Sequence, residues 1–302
     1  MLLFLTAIIW GFAFVAQVDG AQYLPPFTFN GIRFILGAIV LIPVICLFDR
    51  EKITKEERRK TLVASLLAGT ALFTASTLQQ FGIQITKSAG ISGFITGLYT
   101  VAVPIACFVL FRKKTGLHVW LGAVLAVVGL FCVCYKPGTG LSFGLGEILL
   151  LLGVIFWTAH VIIIDRLGKG VRSLRLAMGQ SAVSGLWSLL LMLVLEQPQW
   201  TAVWNAKISL LFCGVFSVGI AYTLQVVAQR NADPTFAAIV LSTESVFGAI
   251  GGALFGTDEI ALLGYIGFVL IFGGIVLSQL SFGSKKRKCR KAEPKETQKE
   301  EA

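Results

Sequence analysis

Three ionisable side chains interrupt the long apolar runs of this sequence: Arg33, His160 and Glu244. An ionised carboxylate inside an apolar helix costs several kcal/mol unless it is paired. Glu244 is therefore a candidate for carrying a proton, with a neutral Glu held by hydrogen bonds between helices as the alternative. Arg33 shares a helical face with Asn30 and Gly37. Its guanidinium can clamp a carboxylate or phosphate with two parallel hydrogen bonds, or it can snorkel to the surface as an anchor or serve in a structural pair. His160 can exchange a proton near neutral pH, though a lone His on an apolar helix more often serves as a structural donor.

Uncharged polar residues form stripes at helical spacing around these three. Ser76, Gln79, Gln80 and Gln84 make one, Ser92, Thr96, Tyr99 and Thr100 a second, and Tyr222, Gln225 and Gln229 a third. Such groups either line a hydrophilic cavity or bond between helices for about 0.6 kcal/mol each. Gly90, Ile91, Ser92 and Gly93 spell the nucleophile motif of rhomboid proteases, and with His160 they offer a serine–histidine dyad. Against that dyad, Val161, Ile162 and Ile163 follow the histidine where close approach needs small residues. No phosphate loop, cofactor motif or metal set is legible, since Cys132 and Cys134 are two apart and face opposite ways on a helix.

These residues must be positioned by elements that live in lipid. Of 302 residues 56% are hydrophobic and 14% charged, and the mean hydropathy is +0.81; there is too little polar residue to cover a soluble core of this size. Ten apolar spans follow, each near the roughly 20 residues a helix needs to cross a bilayer. The first five are Leu2–Val18, Phe27–Phe48, Thr61–Phe81, Ser88–Phe111 and Leu117–Tyr135; the rest are Phe143–Ile164, Leu174–Leu195, Ile208–Ala228, Pro234–Gly256 and Ile260–Phe282. Continuous runs of this length lack the period-two alternation of barrel strands.

The second five repeat the first. Thr77, Leu78 and Gln79 return 146 positions later as Thr223, Leu224 and Gln225, Trp10 returns after 147 as Trp157, and Gly129 after 145 as Gly274. Five crossings per copy is an odd number, so the second copy enters the bilayer from the opposite side. The expected fold is an all-α membrane protein of ten transmembrane helices built from two inverted five-helix repeats, residues 1–138 and 139–283, with a basic tail over 284–302 too polar to pack. Inverted repeats around a midplane site are the architecture of many carriers. Gly93 and Gly97, and Gly248, Gly252 and Gly256, recur every four residues and predict helix-packing seams. Glu244 stands one turn before Gly248, so movement in that seam would expose or bury the carboxylate.

Lys and Arg are retained in cytoplasmic loops. With the N-terminus inside, all but Arg33, Lys87, Lys136 and Lys207 of the 26 basic residues fall on the inner side, which places both termini in the cytoplasm of a cell-membrane protein. The net charge of +10 then belongs to an inner rim facing anionic lipid, and calls for no nucleic-acid partner. The lipid bilayer and a small-molecule substrate are the expected partners, and a monomer is compatible with both.

Trp10, Gly11, Phe12 and Phe14 in the first span, Arg33 and Phe34 in the second, Leu241 to Phe247 in the ninth, and the two five-span halves resemble the EamA-type family of the drug/metabolite transporter superfamily. The resemblance covers nearly the whole chain. It implies a ten-helix bundle with a central cavity and export or exchange of small metabolites. Two departures stand out: Ser245 where members often carry Pro after the Glu, and Gly256, Thr257, Asp258 and Glu259 in place of a closing Gly-Glu pair. The expected substrate-binding residues are Trp10, Gln79, Gln80, Tyr99, Thr100, Trp157, His160, Tyr222 and Gln225, with Arg33 and Glu244 for charge or proton coupling. Amino acids and related amphipathic solutes suit such a cavity; cationic drugs suit it almost as well, through the aromatic rings and Glu244. A passive channel is the rival outside the carriers.

Overall fold

The computed structural model describes residues 1–50, 54–112, 116–136, 140–141, 143–168, 170–231, 240–241, 243–258 and 262–279. The tail from 284 and the start of the ninth span at Pro234 lie outside the described residues. Seven helices are long and apolar enough to cross a membrane, and three shorter apolar helices, Leu117–Cys132, Glu244–Phe255 and Leu262–Ser278, complete the expected ten among the described residues.

The first span is Leu2–Gly20 and the second Pro26–Phe48, whose Pro26 supplies a φ already helical and lacks an N–H that the first turn would leave unpaired. The third, Lys55–Thr86, begins well before the expected Thr61. A capping box explains the extension: Thr54 Oγ1 accepts from the Glu57 N–H at 3.2 Å, while Glu57 Oε2 accepts from the Thr54 N–H at 2.9 Å. The fourth span is two helices, Ala89–Gly97 and Tyr99–Phe111, separated at Leu98. The fifth is Leu117–Cys134, the sixth Leu145–Leu167 and the seventh Ser173–Leu195. The eighth runs from Lys207 to Asn231 and widens into a π-helix over Phe212–Ala221. In the ninth the described helix is Glu244–Phe255, so Glu244 opens a half-helix rather than continuing one; Gly256 closes it in the left-handed region at φ 69°, where a side chain would be strained. The tenth is Leu262–Gln279.

Two short elements were not legible in the hydropathy. Tyr135–Lys136 pairs antiparallel with Gly140–Leu141 between the fifth and sixth spans, with Tyr135 opposite Leu141. The helix Trp200–Asn205 between the seventh and eighth carries exposed Trp200 and Trp204, and Lys207 Nζ lies 4.5 Å from the Trp204 ring, the composition of a membrane-interface anchor.

Packing follows the repeat. The fifth span packs on the tenth, the second on the seventh and the fourth on the ninth, each span against its own counterpart. The first packs on the eighth and ninth, and correspondingly the sixth on the third and fourth. The seam between the fifth and tenth is tight enough to test the offset. Gly122 lies against the Gly274 backbone and Gly129 against the Gly267 backbone, and both Gly122 to Gly267 and Gly129 to Gly274 are steps of 145. One contact is therefore the other with the halves exchanged. Leu193, Val194, Leu254, Phe255 and Val269 stand mostly exposed around the outside, as the surface of a bundle of membrane-spanning helices requires.

Candidate functional site

The expected seam glycines place the site's walls. Ser245 Oγ donates to the Gly93 carbonyl at 3.0 Å and lies over Gly97, so the fourth and ninth spans meet where a Cβ would not fit. Gly248 faces Ala89 of the fourth span and Gly11 of the first. A Cβ at Gly11 would lie only 2.8 Å from the Glu244 carbonyl, so the bare glycine lets the first span close onto the opening turn of the ninth. Gly252 does something other than the spacing predicts: the space above it holds the side chain of Asp258.

One cavity of about 50 Å³, room for roughly four waters at 10–15 Å³ each, lies between the two repeats. Its walls include Trp10, Arg33, Gln79, Tyr99, Trp157, His160, Tyr222, Gln225 and Glu244, nine of the eleven residues singled out above for binding and coupling. Gln80 and Thr100 stand outside it: Gln80 Nε2 donates to the Gln17 carbonyl at 3.2 Å, and Thr100 Oγ1 to the Gly97 carbonyl at 2.8 Å. Gln17, Thr96 and Ser217 line it as well. Thr96 was legible in its stripe; Gln17 stands near the end of its span with no polar stripe to mark it.

The cavity wall mixes polar groups with aromatic rings. Trp157 Nε1 donates to Gln79 Oε1 at 2.9 Å, and Gln79 Nε2 passes the chain on to Gln17 Oε1 at 3.4 Å. Trp10 Nε1 reaches the Ser217 carbonyl at 3.3 Å, inside the π-helical stretch, and its ring meets Tyr222 edge-on at 4.9 Å. Widened helical turns of this kind occur frequently at functional sites. His160 Nε2 donates to Gln180 Oε1 at 3.0 Å.

The two charged groups behave differently from a structural pair. Arg33 does not snorkel: it is 4% exposed, packed at 5.4 and 5.0 Å from the Phe29 and Phe34 rings, and its Nε has no hydrogen-bond partner. Glu244 is 3% exposed on the opposite repeat. Among the described residues neither has an ion-pair partner. Gln225 Oε1 is likewise buried without a donor. A cation and a carboxylate without ion-pair partners and an amide oxygen without a donor around one space are groups that a solute can satisfy, and leaving such groups unsatisfied is costly. Ser92 and His160 do not join as a dyad; Ser92 Oγ bonds Thr86 Oγ1 at 3.2 Å and His160 bonds Gln180. Among the described residues no group of side chains is arranged to hold a metal ion.

Comparison with known proteins agrees with this layout. A family model described as the EamA-like transporter family matches twice, over residues 1–135 and 144–280. An uncharacterized transporter of Archaeoglobus fulgidus is 25% identical over 276 residues, 91% of this chain and 84% of that protein. The uncharacterized transporter YoaV of Bacillus subtilis is 24% identical, with 92% and 96% covered. The uncharacterized inner membrane transporter YedA of Escherichia coli is 22% identical, with 92% and 89% covered. A crystal structure of a protein only 17% identical superposes with a TM-score of 0.68 over 91% of this chain and 94% of that one, which shows a shared fold.

Proposed function

Since the chain belongs to the EamA-like transporter family of the drug/metabolite transporter superfamily and is a multi-pass membrane transporter, we propose that it is a secondary carrier. It exports or exchanges small metabolites, amino acids and related amphipathic solutes, by alternating access. The observation that carries this reading is a cavity, walled by both repeats, that brings together among Trp and Tyr rings Arg33, whose Nε lacks a hydrogen-bond partner, and Glu244, which has no ion-pair partner among the described residues. A solute bearing one carboxylate and one ammonium answers both charges at once: the carboxylate accepts from Arg33, the ammonium faces Glu244 and Gln225, and the side chain lies against Trp10 and Tyr222. A purely cationic drug would satisfy Glu244 and leave Arg33 repelling it, and a cavity of about 50 Å³ favours small solutes. In this reading Glu244 alternates between proton and substrate ammonium, which couples the two fluxes. The basic rim faces the cytoplasm, with both termini on that side of the cell membrane.

Counterflow in proteoliposomes tests the reading. Vesicles loaded with a mixture of unlabelled amino acids should accumulate labelled amino acid transiently, and empty ones should not. A channel gives linear, unsaturable flux without counterflow, and that outcome would overturn it.

A further inference from the structure

Two acids stand just past the ends of the second and seventh spans, Asp49 and Glu196, and they are 147 positions apart, the same step as Trp10 to Trp157. Each reaches the start of the other span. Glu196 accepts from the Phe27 N–H at 2.9 Å, from the Thr28 N–H at 2.7 Å and from Thr28 Oγ1 at 2.7 Å. Asp49 accepts from Arg172 Nη1 and, at 2.8 Å, from Arg175 Nε, while its carbonyl accepts from Arg175 Nη2 at 2.9 Å. Thr28 and Arg175 are again 147 apart. The two ties are therefore one contact made twice by the repeat, and because the spans run antiparallel they sit at opposite rims of the bundle. Asp49 and its arginines tie the basic rim; Glu196 ties the other.

Exchange of the halves turns a carrier open on one side into one open on the other. It also exchanges these two ties. We infer that Asp49 and Glu196 are the paired locks of the seam between the second and seventh spans: the structure holds both closed around the cavity, and each open state breaks one while the other stays as the hinge. The inference rests on the alternating-access reading above and adds the residues that gate it. The locks are unequal in chemistry. The basic rim is held by a carboxylate between two guanidiniums. The opposite rim is held by a carboxylate on neutral donors, reinforced by two further bridges between the halves, Ser209 Oγ to Asp19 and the Gly90 N–H to Asp258 at 2.8 Å.

The test is thiol labelling of Thr96→Cys, a cavity-wall position, in the full chain with its six native cysteines replaced, reconstituted in vesicles of known orientation and treated with an impermeant maleimide from one side at a time. Asp49→Asn should raise the ratio of basic-side to opposite-side labelling about tenfold, the size expected for losing a charge-assisted hydrogen bond. Glu196→Gln should shift the ratio the other way by less, since its rim keeps two more bridges, and Thr28→Val should shift it in the Glu196 direction by less again. The double variant should return toward the starting ratio. Where Asp49→Asn yields no folded protein, Arg175→Gln reads the same tie and should shift the ratio in the Asp49 direction. Folded variants that shift the ratio the same way, or leave it unmoved, overturn the inference. Labelling reads conformation alone, so counterflow without these shifts sinks the locks and spares the carrier, whereas shifts without counterflow do the reverse.

Discussion

The two halves of the cavity wall are built to one plan and finished differently. In the second half His160 faces Gln180 and bonds it. The counterparts of that pair, 147 positions earlier, are Ala13 and Arg33. A methyl group cannot accept from a guanidinium, so Arg33 keeps an unpartnered Nε at the cavity. The tryptophans diverge in the opposite sense. Trp157 donates to Gln79, which is itself held by Gln17; the counterpart of Gln17 is Ile164, so Gln225 has no equivalent support and Trp10 turns to the Ser217 carbonyl instead. The half-helices differ likewise, one opening on Tyr99 and the other on Glu244. Duplication supplies a symmetric scaffold, and a few substitutions at related positions give the cavity a cationic side and an acidic side. The departures from symmetry set the chemistry of the cavity wall.

Variants on the two sides of the wall test that contrast directly. Glu244→Gln should lower amino-acid flux at least tenfold and flatten its dependence on pH, whereas Tyr99→Phe at the opening of the other half-helix should cost threefold or less; both are read as initial rates in proteoliposomes. If the two cost the same, the acidic side has no special role. Arg33→Gln, which gives the first half the residue the second half carries, should weaken saturation by a carboxylate-bearing solute about tenfold and leave flux of a purely cationic one unreduced.

The next effects are on stability. Gly122→Val and Gly129→Val press on the same seam at exchange-related points, so each should destabilise by about 1–3 kcal/mol, and the two should agree within about 0.5 kcal/mol. Gly273→Ala, with open space around it, should change melting by less than about 0.5 kcal/mol. Gln79→Leu strands the Trp157 indole and should cost about 1–3 kcal/mol, while Gln225→Leu removes an acceptor nothing uses and should be nearly neutral. Smallest near neutral pH is the pH dependence of the Asp49 contribution. Burial would raise its carboxyl, but the hydrogen bonds and charges of Arg175 and Arg172 outweigh that and hold it below the ordinary 3.8. A depressed carboxylate adds stability that is complete above the unfolded value and lost as pH falls through the folded one. Melting of the native chain minus that of Asp49→Asn should therefore be flat from pH 7 to about 5 and shrink only below about 4.

Composition was enough for the membrane, and the numbering of Trp10, Gln79 and Gly129 against Trp157, Gln225 and Gly274 was enough for the repeat, because lipid forces long apolar helices and duplication leaves a constant offset. Most of the candidate cavity was legible for the same reason: Arg33, Gln79 and Glu244 are conspicuous in runs where polar residues are few. Gln80 and Thr100 share stripes with true wall residues, and spacing along one helix cannot say which of two neighbouring polar positions turns to the centre and which to a backbone carbonyl. Gly252 was placed on the right face with the wrong neighbour, since its space is filled by Asp258 folding back from the loop.

What the sequence determined by itself is therefore the class, the ten spans, their inverted pairing and the handful of polar groups that must come together. Which of these groups meet was settled by packing alone. Packing left the Arg33 Nε without a hydrogen-bond partner, turned Trp10 to a π-helical carbonyl, and set Asp49 and Glu196 at the two ends of one seam. The physical reason is that burial in lipid is a property each residue carries along the chain, whereas a hydrogen bond depends on a distance between elements that only packing fixes.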